Sequence, residues 1–368
     1  MTLDRVSPIR YRRTMRATAV VSVAVLALFA ASCTKSSGSS STTSSAGSGS
    51  GGQQVQSSAS GPMCTATKYG APKLNLKSTT VGFSQSESSS NPFRATETKS
   101  ISAEAKLLGI KLIQRNADGD VNAQNSQIED MIAQGAKVLI VAPENSDGLK
   151  PALAQAKAKK IPVLTIDRTV SGKACSDFIT FIGSDFAGQG KIAADDLIKA
   201  TGGKGNIAIL LGTSGNNVTN ARTSGFVKEI AAKAPSMKVV AKQTANFDQT
   251  TGQKVMENLL QGNSNIDAVY AENDEMAFGA IQAIRSAGKT PGKDIKLVSV
   301  DGTQQAVQDV VSGLLYSDVE TNPRFGPLAF QSLMDFYSGK GVSTSVIIKD
   351  HHYTSANAKS SLSSGQVY

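Results

Sequence analysis

Six short runs of apolar, largely β-branched residues each stop abruptly at a polar or charged residue and give way to a helix-like stretch. They are Val81 to Gln85, Val138 to Pro143, Val163 to Arg168, Ile207 to Leu211 followed by Gly212-Thr213, Val269 to Asp274, and Leu297 to Gly302. Runs of this length, apolar on both alternating faces, suit parallel strands buried between helix layers. Their polar ends then point to one sheet edge. In open α/β sheets that carboxyl edge is where ligands bind. The residues gathered there are Asp, Arg, Asn and Ser, with almost no nucleophile or metal chemistry among them, so the pattern favours binding over catalysis.

From about Thr79 to Tyr353 strands and helices alternate almost without a break. Pro92 to Leu108 has helical spacing and ends at Gly109, Lys111 to Gln114 reads as a strand, and Asn122 to Ala133 reads as a helix closed by Gly135. A further helix runs to about Lys159, where Lys160-Ile161-Pro162 breaks it. Phe178 to Gly183 reads as another strand, Ser184-Asp185 opens the next helix, and the alternation then resumes through Val310. Such a repeat gives right-handed crossovers and a parallel sheet. Roughly 275 residues exceed the size at which one core stops growing, so two doubly wound α/β domains are expected.

The N-terminus indicates where the chain works. Arg5, Arg10, Arg12, Arg13 and Arg16 precede an uncharged apolar stretch from Ala17 to Ala31, and Ala30-Ala31-Ser32-Cys33 closes it. That order describes a secretory signal, and a membrane span would need about 20 apolar residues. Small residues before a cysteine also resemble the bacterial lipobox, in which Cys33 carries lipid and becomes the mature N-terminus; Ala30 departs from the usual Leu. Arg12-Arg13 is followed by residues that fit a twin-arginine signal poorly, which favours the Sec route. The formal charge is +9; the signal's five Arg against Asp4 take away +4 and leave +5. No basic run interleaved with aromatics appears, so nucleic-acid binding is not indicated. Thr34 to about Pro62 is nearly all Ser, Gly, Thr and Gln, the composition of a flexible tether. With Cys33 lipidated, Cys64 and Cys175 remain as an even pair in an oxidising compartment, which favours a disulfide over two buried thiols.

Other constellations are weak. The two histidines, His351 and His352, are adjacent and would project in opposite directions from a strand, so a surface pair is expected rather than a metal site. Gly212-Thr213-Ser214-Gly215 lacks a P-loop Lys and reads as a strand-to-helix turn. No His falls at a strand end for Ser-His-Asp catalysis, and no carboxylate pair suits glycoside hydrolysis. No cofactor is called for.

Taken together, Val81-Gly82-Phe83-Ser84-Gln85, Phe93-Arg94-Ala95-Thr96-Glu97, Asn125-Ser126-Gln127-Ile128 with Gly135, Pro162 to Arg168, Ala271 to Met276, Gly279 to Ala283 and Val300-Asp301-Gly302 resemble the periplasmic sugar-binding proteins of bacterial ABC importers, of the ribose-binding and, most closely, the galactofuranose-binding type. The resemblance implies the type I periplasmic binding protein fold: two parallel-sheet α/β domains joined by three crossings, with a monosaccharide in the cleft between them. The implied layout is a signal peptide with lipobox over 1–33, a tether and lead-in over 34–76, one domain from 77–183 plus 321–345, another from 184–320 plus 346–356, and a tail over 357–368. The crossings fall near Gly183-Ser184, Glu320 and Lys349 to Tyr353.

A monosaccharide presents hydroxyls that both donate and accept, so a dry site must offer both in similar measure. Arg supplies a planar fork of donors, Asp acceptors and Asn one of each. Arg94, Asp167, Arg168, Arg222, Asn273 and Asp301 fall at predicted strand ends or in the following first turn, at positions that match the family's ligand residues. Phe93 is the implied stacking platform; the family commonly has Trp there, and this chain has none. The loop from Ser86 to Asn91 leaves open whether Glu87 or Ser90 reaches the ligand, and Glu320 sits where ribose-type proteins place an amide. Singly, each has a bland alternative, with Asn273 as a helix cap and Asp301-Gly302 as a turn pair. The expected protein is a monomeric, lipid-anchored receptor on the outer face of the cell membrane, or in the periplasm, that docks on a permease. A sensor feeding a receptor is the alternative. A lac-repressor-like regulator needs a helix-turn-helix where this chain has a signal and tether, and a secreted α/β enzyme needs a general base.

Overall fold

A computed structural model of the chain describes residues 55–262 and 265–368. The signal, Cys33 and most of the Ser/Gly-rich segment lie outside them. The strands are β1 (Ser57–Cys64), β2 (Thr80–Gln85), β3 (Lys111–Asn116), β4 (Val138–Val141), β5 (Val163–Ile166), β6 (Phe181–Gly183), β7 (Gly205–Leu211), β8 (Met237–Thr244), β9 (Ala268–Ala271), β10 (Lys296–Asp301), β11 (Ser317–Glu320), β12 (Val342–Ile348) and β13 (His352–Thr354). The helices are α1 (Ala66–Tyr69), α2 (Pro92–Leu108), α3 (Val121–Ala133), α4 (Lys150–Ala158), α5 (Phe186–Thr201), α6 (Asn217–Lys233), α7 (Gln249–Gly262), α8 (Asp274–Ser286), α9 (Gln304–Ser312), α10 (Gly326–Ser338) and α11 (Ala358–Ser363).

Two sheets result. The first runs β1-β12-β6-β5-β4-β2-β3 and the second β13-β11-β10-β9-β7-β8. All pairings are parallel except the edge pairs β1 with β12 and β13 with β11. Alternation along β4 explains the layering: Val138 and Ile140 pack in one apolar cluster, Leu139 and Val141 in another on the opposite face. In the second sheet Ile207 and Ile209 face one cluster while Ala208 and Leu210 face the other. Each sheet is therefore covered on both faces, as continuous apolar runs require. The chain passes between sheets three times, after β6, after β11 and after β12.

Three expectations are corrected. Residues 57–64, read as tether and lead-in, form β1. The segment buries almost no side chain, and pairs instead through its backbone along β12, from Ser57 opposite Ile348 to Cys64 opposite Val342. Cys64 is fully buried and forms a disulfide with Cys175. A boundary between 345 and 346 would cut β12, which stays in the first sheet to Ile348. The segment read as a tail contains α11, which packs on α9, and Val367 packs on the core of the second lobe.

Candidate functional site

The carboxyl ends of both parallel sheets face one narrow cavity of about 30 Å³, at the sheet edge where open α/β proteins bind their ligands. Its lining includes Glu87, Asn91, Phe93, Arg94, Asp167 and Arg168 from the first lobe, Val218, Arg222, Phe247, Asn273 and Asp301 from the second, and Thr321 from the crossing after β11. The lobes touch around it. Thr169 N donates to Asn217 Oδ1 at 2.9 Å, and Ser146 N to the Gly215 carbonyl at 3.2 Å.

The first wall is an ion network. Asn91 caps α2 by accepting from the amides of Phe93 and Arg94, which turns both side chains toward the end of β2. Arg94 Nε donates to Glu87 at 2.9 Å, and its NH1 lies 2.8 Å from Glu97 and 2.7 Å from Asp167. Arg168 holds the other oxygen of Glu87 at 2.6 Å and Glu144 at 3.1 Å. Two guanidiniums thus face four carboxyls. Burial pushes Glu97 and Glu144 up to about 7 even beside these cations. Burial acts on Glu87 too, but the charges of Arg168 and Arg94 outweigh it and hold this carboxyl down to about 2. Arg168 Nε is buried with no hydrogen-bond partner.

The second wall is built around one cation. α5 crosses α6 at two glycines: a Cβ on Gly190 would sit 2.2 Å from the Arg222 carbonyl, and one on Gly225 2.1 Å from the Ala187 carbonyl. That close approach brings Gln189 to Arg222, whose Nε donates to Gln189 Oε1 at 3.0 Å. NH2 donates to Asp301 at 3.1 Å and to Thr321 Oγ1 at 2.6 Å, and NH1 to the Glu272 carbonyl. Four of its five N–H groups are therefore committed within the protein. Burial raises Asp301 to about 7 despite Arg222, and raises Glu272 to about 7. Asp167 at φ 59°, Asp301 at φ 143° and Phe247 at φ 57° all occupy backbone conformations that L side chains avoid. Such strain costs about 1–3 kcal/mol per residue and clusters at binding sites.

Most of the residues singled out from the sequence meet here. Phe93, Arg94, Asp167, Arg168, Arg222, Asn273, Asp301 and Glu87 all line the cavity. Ser90 does not; it is exposed on the loop, so of that pair only Glu87 reaches the site. Glu320 is also turned away. As β11 ends, alternation sends Thr321 into the cavity and Glu320 to the other side, where it meets His351 Nδ1, the His351 amide at 2.9 Å and Tyr353 Oη at 3.4 Å. His352 pairs with Asp196. The histidines thus point apart, each joined to a buried acid. Asn273 also acts as the helix cap: its Oδ1 accepts from Met276 N at 3.0 Å and its Nδ2 donates to the Phe247 carbonyl at 3.3 Å.

Phe247 escaped the sequence reading. It follows β8, an edge strand whose ladder partner lies on one side only, and no apolar run marks it. Its ring nonetheless lies in the cavity with the Arg168 guanidinium 5.4 Å from its centre. The ring lies against Gly212, where a Cβ would fall 1.9 Å from Phe247 Cζ, a contact that only the fold creates. Val218, Asn91 and Thr321 were likewise missed. Among the described residues no group of His, Cys, Asp and Glu is placed to hold a metal.

Comparison with known proteins agrees with this geometry. Residues 81–341 match the periplasmic binding protein domain family. The chain belongs to it. The ribose import binding protein of Bacillus subtilis (strain 168) is 38% identical over 274 residues, covering 74% of this chain and 86% of that protein. The galactofuranose-binding protein of Escherichia coli (strain K12) is 37% identical over 260 residues, covering 69% and 80%. The structure of the periplasmic binding component of the arabinose ABC transporter from Shewanella sp. ANA-3, bound to α- and β-L-arabinofuranose, superposes with a TM-score of 0.73 at 37% identity, covering 78% of this chain and 95% of that one. Periplasmic binding protein domains are thus the context for both walls of the cavity.

Proposed function

We propose that this chain is the extracytoplasmic solute-binding subunit of an ABC importer and that it closes around one monosaccharide, in furanose form, between its lobes. The observation that carries this is that Phe93 and Phe247, contributed by opposite lobes, line one cavity together with three arginines, three carboxyls and two amides. Aromatic faces suit sugar C–H groups. The polar set suits hydroxyls that must donate and accept together. The furanose preference draws on the sugars named for the galactofuranose-binding relative and for the arabinofuranose complex. Delivery to a permease, rather than to a sensory receptor, draws on the import binding protein of Bacillus subtilis. A melting-temperature screen against pentoses and hexoses tests it: at least one sugar with an accessible furanose form raises the melting temperature, and a flat response across the panel refutes the reading.

The lipid anchor belongs to the same proposal. With Cys33 acylated and the Ser/Gly-rich segment as tether, the receptor stays beside its permease while its lobes open and close. Cys33→Ala is expected to shift the protein from the membrane fraction to the soluble one; retention of the processed variant on the membrane contradicts the anchor.

A further inference from the structure

We infer that Tyr368 is a positioning residue that braces both walls of the cleft from behind, and so sets how long a bound ligand is held. This rests on the cleft being the ligand site. The segment after α11 is fixed to the second lobe: Val367 packs on that lobe's core, and the amide of Gln304, the first residue of α9, donates to the Tyr368 carbonyl at 2.8 Å. The ring of Tyr368, however, leaves its own lobe. It packs on the apolar core of the first lobe and meets Phe93 edge to face, with ring centres 6.3 Å apart and planes at 71°. Phe325 holds another side of Phe93 in the same manner at 6.4 Å. The Arg324 guanidinium, 5.7 Å from the Tyr368 ring centre, fastens the tyrosine to the crossing that follows β11.

The hydroxyl completes the bridge. Tyr368 Oη donates to the Asp301 carbonyl at 3.0 Å, and the same oxygen accepts from Thr321 N at 2.9 Å. Asp301 carries the strained φ of 143° and presents its carboxylate to Arg222. One side chain therefore supports the aromatic wall of the first lobe and the strained acidic corner of the second, while staying outside the cavity lining. Opening the lobes would pull a ring anchored on the second lobe away from Phe93 on the first. A contact that closure tightens shifts the equilibrium toward the closed form and slows release, with little effect on encounter.

Stopped-flow binding with the sugar that most raises the melting temperature, drawn from L-arabinose, D-galactose and D-ribose, separates the two rates for the whole chain. Tyr368→Ala is expected to release sugar about tenfold faster with an association rate within about twofold of wild type. Tyr368→Phe, which keeps the ring, recovers most of that loss. Unchanged release in Tyr368→Ala, or an effect confined to association, overturns the inference. Amide exchange on the ligand-free protein supplies an arm that needs no sugar: Tyr368→Ala should speed exchange at Phe93 and Arg94 in the first lobe as well as at Gln304 and Thr321. Faster exchange at Gln304 alone means the segment serves only its own lobe, which also overturns it. If no sugar binds wild type, the cleft reading fails while the exchange arm still decides the bridge.

Discussion

The two walls of the cleft do similar work with different means. The first lobe confronts Arg94 and Arg168 with Glu87, Glu97, Glu144 and Asp167, and ties its margin with the Cys64–Cys175 disulfide. The second lobe has one central cation, Arg222, held by a single carboxylate, a glutamine, a threonine and a carbonyl. Among the described residues it has no cross-link of its own. The first wall is thus a charge network in which two guanidiniums are held by four carboxyls of their own lobe. The second depends on glycine contacts between helices and on strained strand ends.

Removing a cation from the first wall should break this comparison most sharply. Arg94→Ala strands Glu97, Glu87 and Asp167 in a buried site, so it is expected to cost about 3–5 kcal/mol in urea unfolding. A loss below about 1 kcal/mol shows that the network is not structural. Cleaving the disulfide is next. The bridge closes a separation of 111 residues, and reduction should lower stability by about 2–4 kcal/mol, with β1 detaching first because its own side chains bury so little. Thiol labelling of the unfolded, unreduced chain should find neither Cys64 nor Cys175 free; labelling of both refutes the bridge.

A smaller effect follows from pH. Glu97 and Glu144 in the first wall, and Glu272 and Asp301 in the second, are all raised to about 7 by burial, so the folded chain binds more protons than the unfolded one between their ordinary values and about 7. Stability therefore falls as pH rises through that interval. His351, raised through its hydrogen bond to Glu320, acts in the same sense, its contribution being lost as pH climbs through its folded value. Glu87 acts oppositely, since its contribution is present above its ordinary value and disappears as pH falls toward about 2. The melting temperature should be higher near pH 5 than near pH 8, and the reverse order contradicts the burial of these carboxyls.

What was legible in the sequence follows from what fixes it locally. Apolar runs ending in Asp167-Arg168 or Asp301 specify buried parallel strands and their ligand edge, because strand period and burial are written in consecutive residues. Phe247 and Tyr368 are fixed by contacts far along the chain, with Arg168 for the one and Phe93 and Asp301 for the other. Glu320 faces His351 and Tyr353 instead of the cavity for a related reason. Its position at the crossing was visible, but the direction of its side chain depends on where β11 ends, and one residue of register moves it from cavity to hinge. Likewise β1 carries no apolar signal and exists because β12 offers an unpaired edge.

Calorimetric titration of the sugar that most raises the melting temperature, into wild type and Arg222→Ala, decides whether the cleft is the sugar site. Arg222 has one N–H uncommitted and also orients Asp301, so its loss is expected to remove at least one charge-assisted hydrogen bond to a sugar in the cleft. One sugar per chain is expected for wild type, with a weakening of about tenfold to 150-fold in a variant that still unfolds cooperatively. Equal affinity in the two proteins would place the sugar elsewhere and leave the cavity's charges as structural caps.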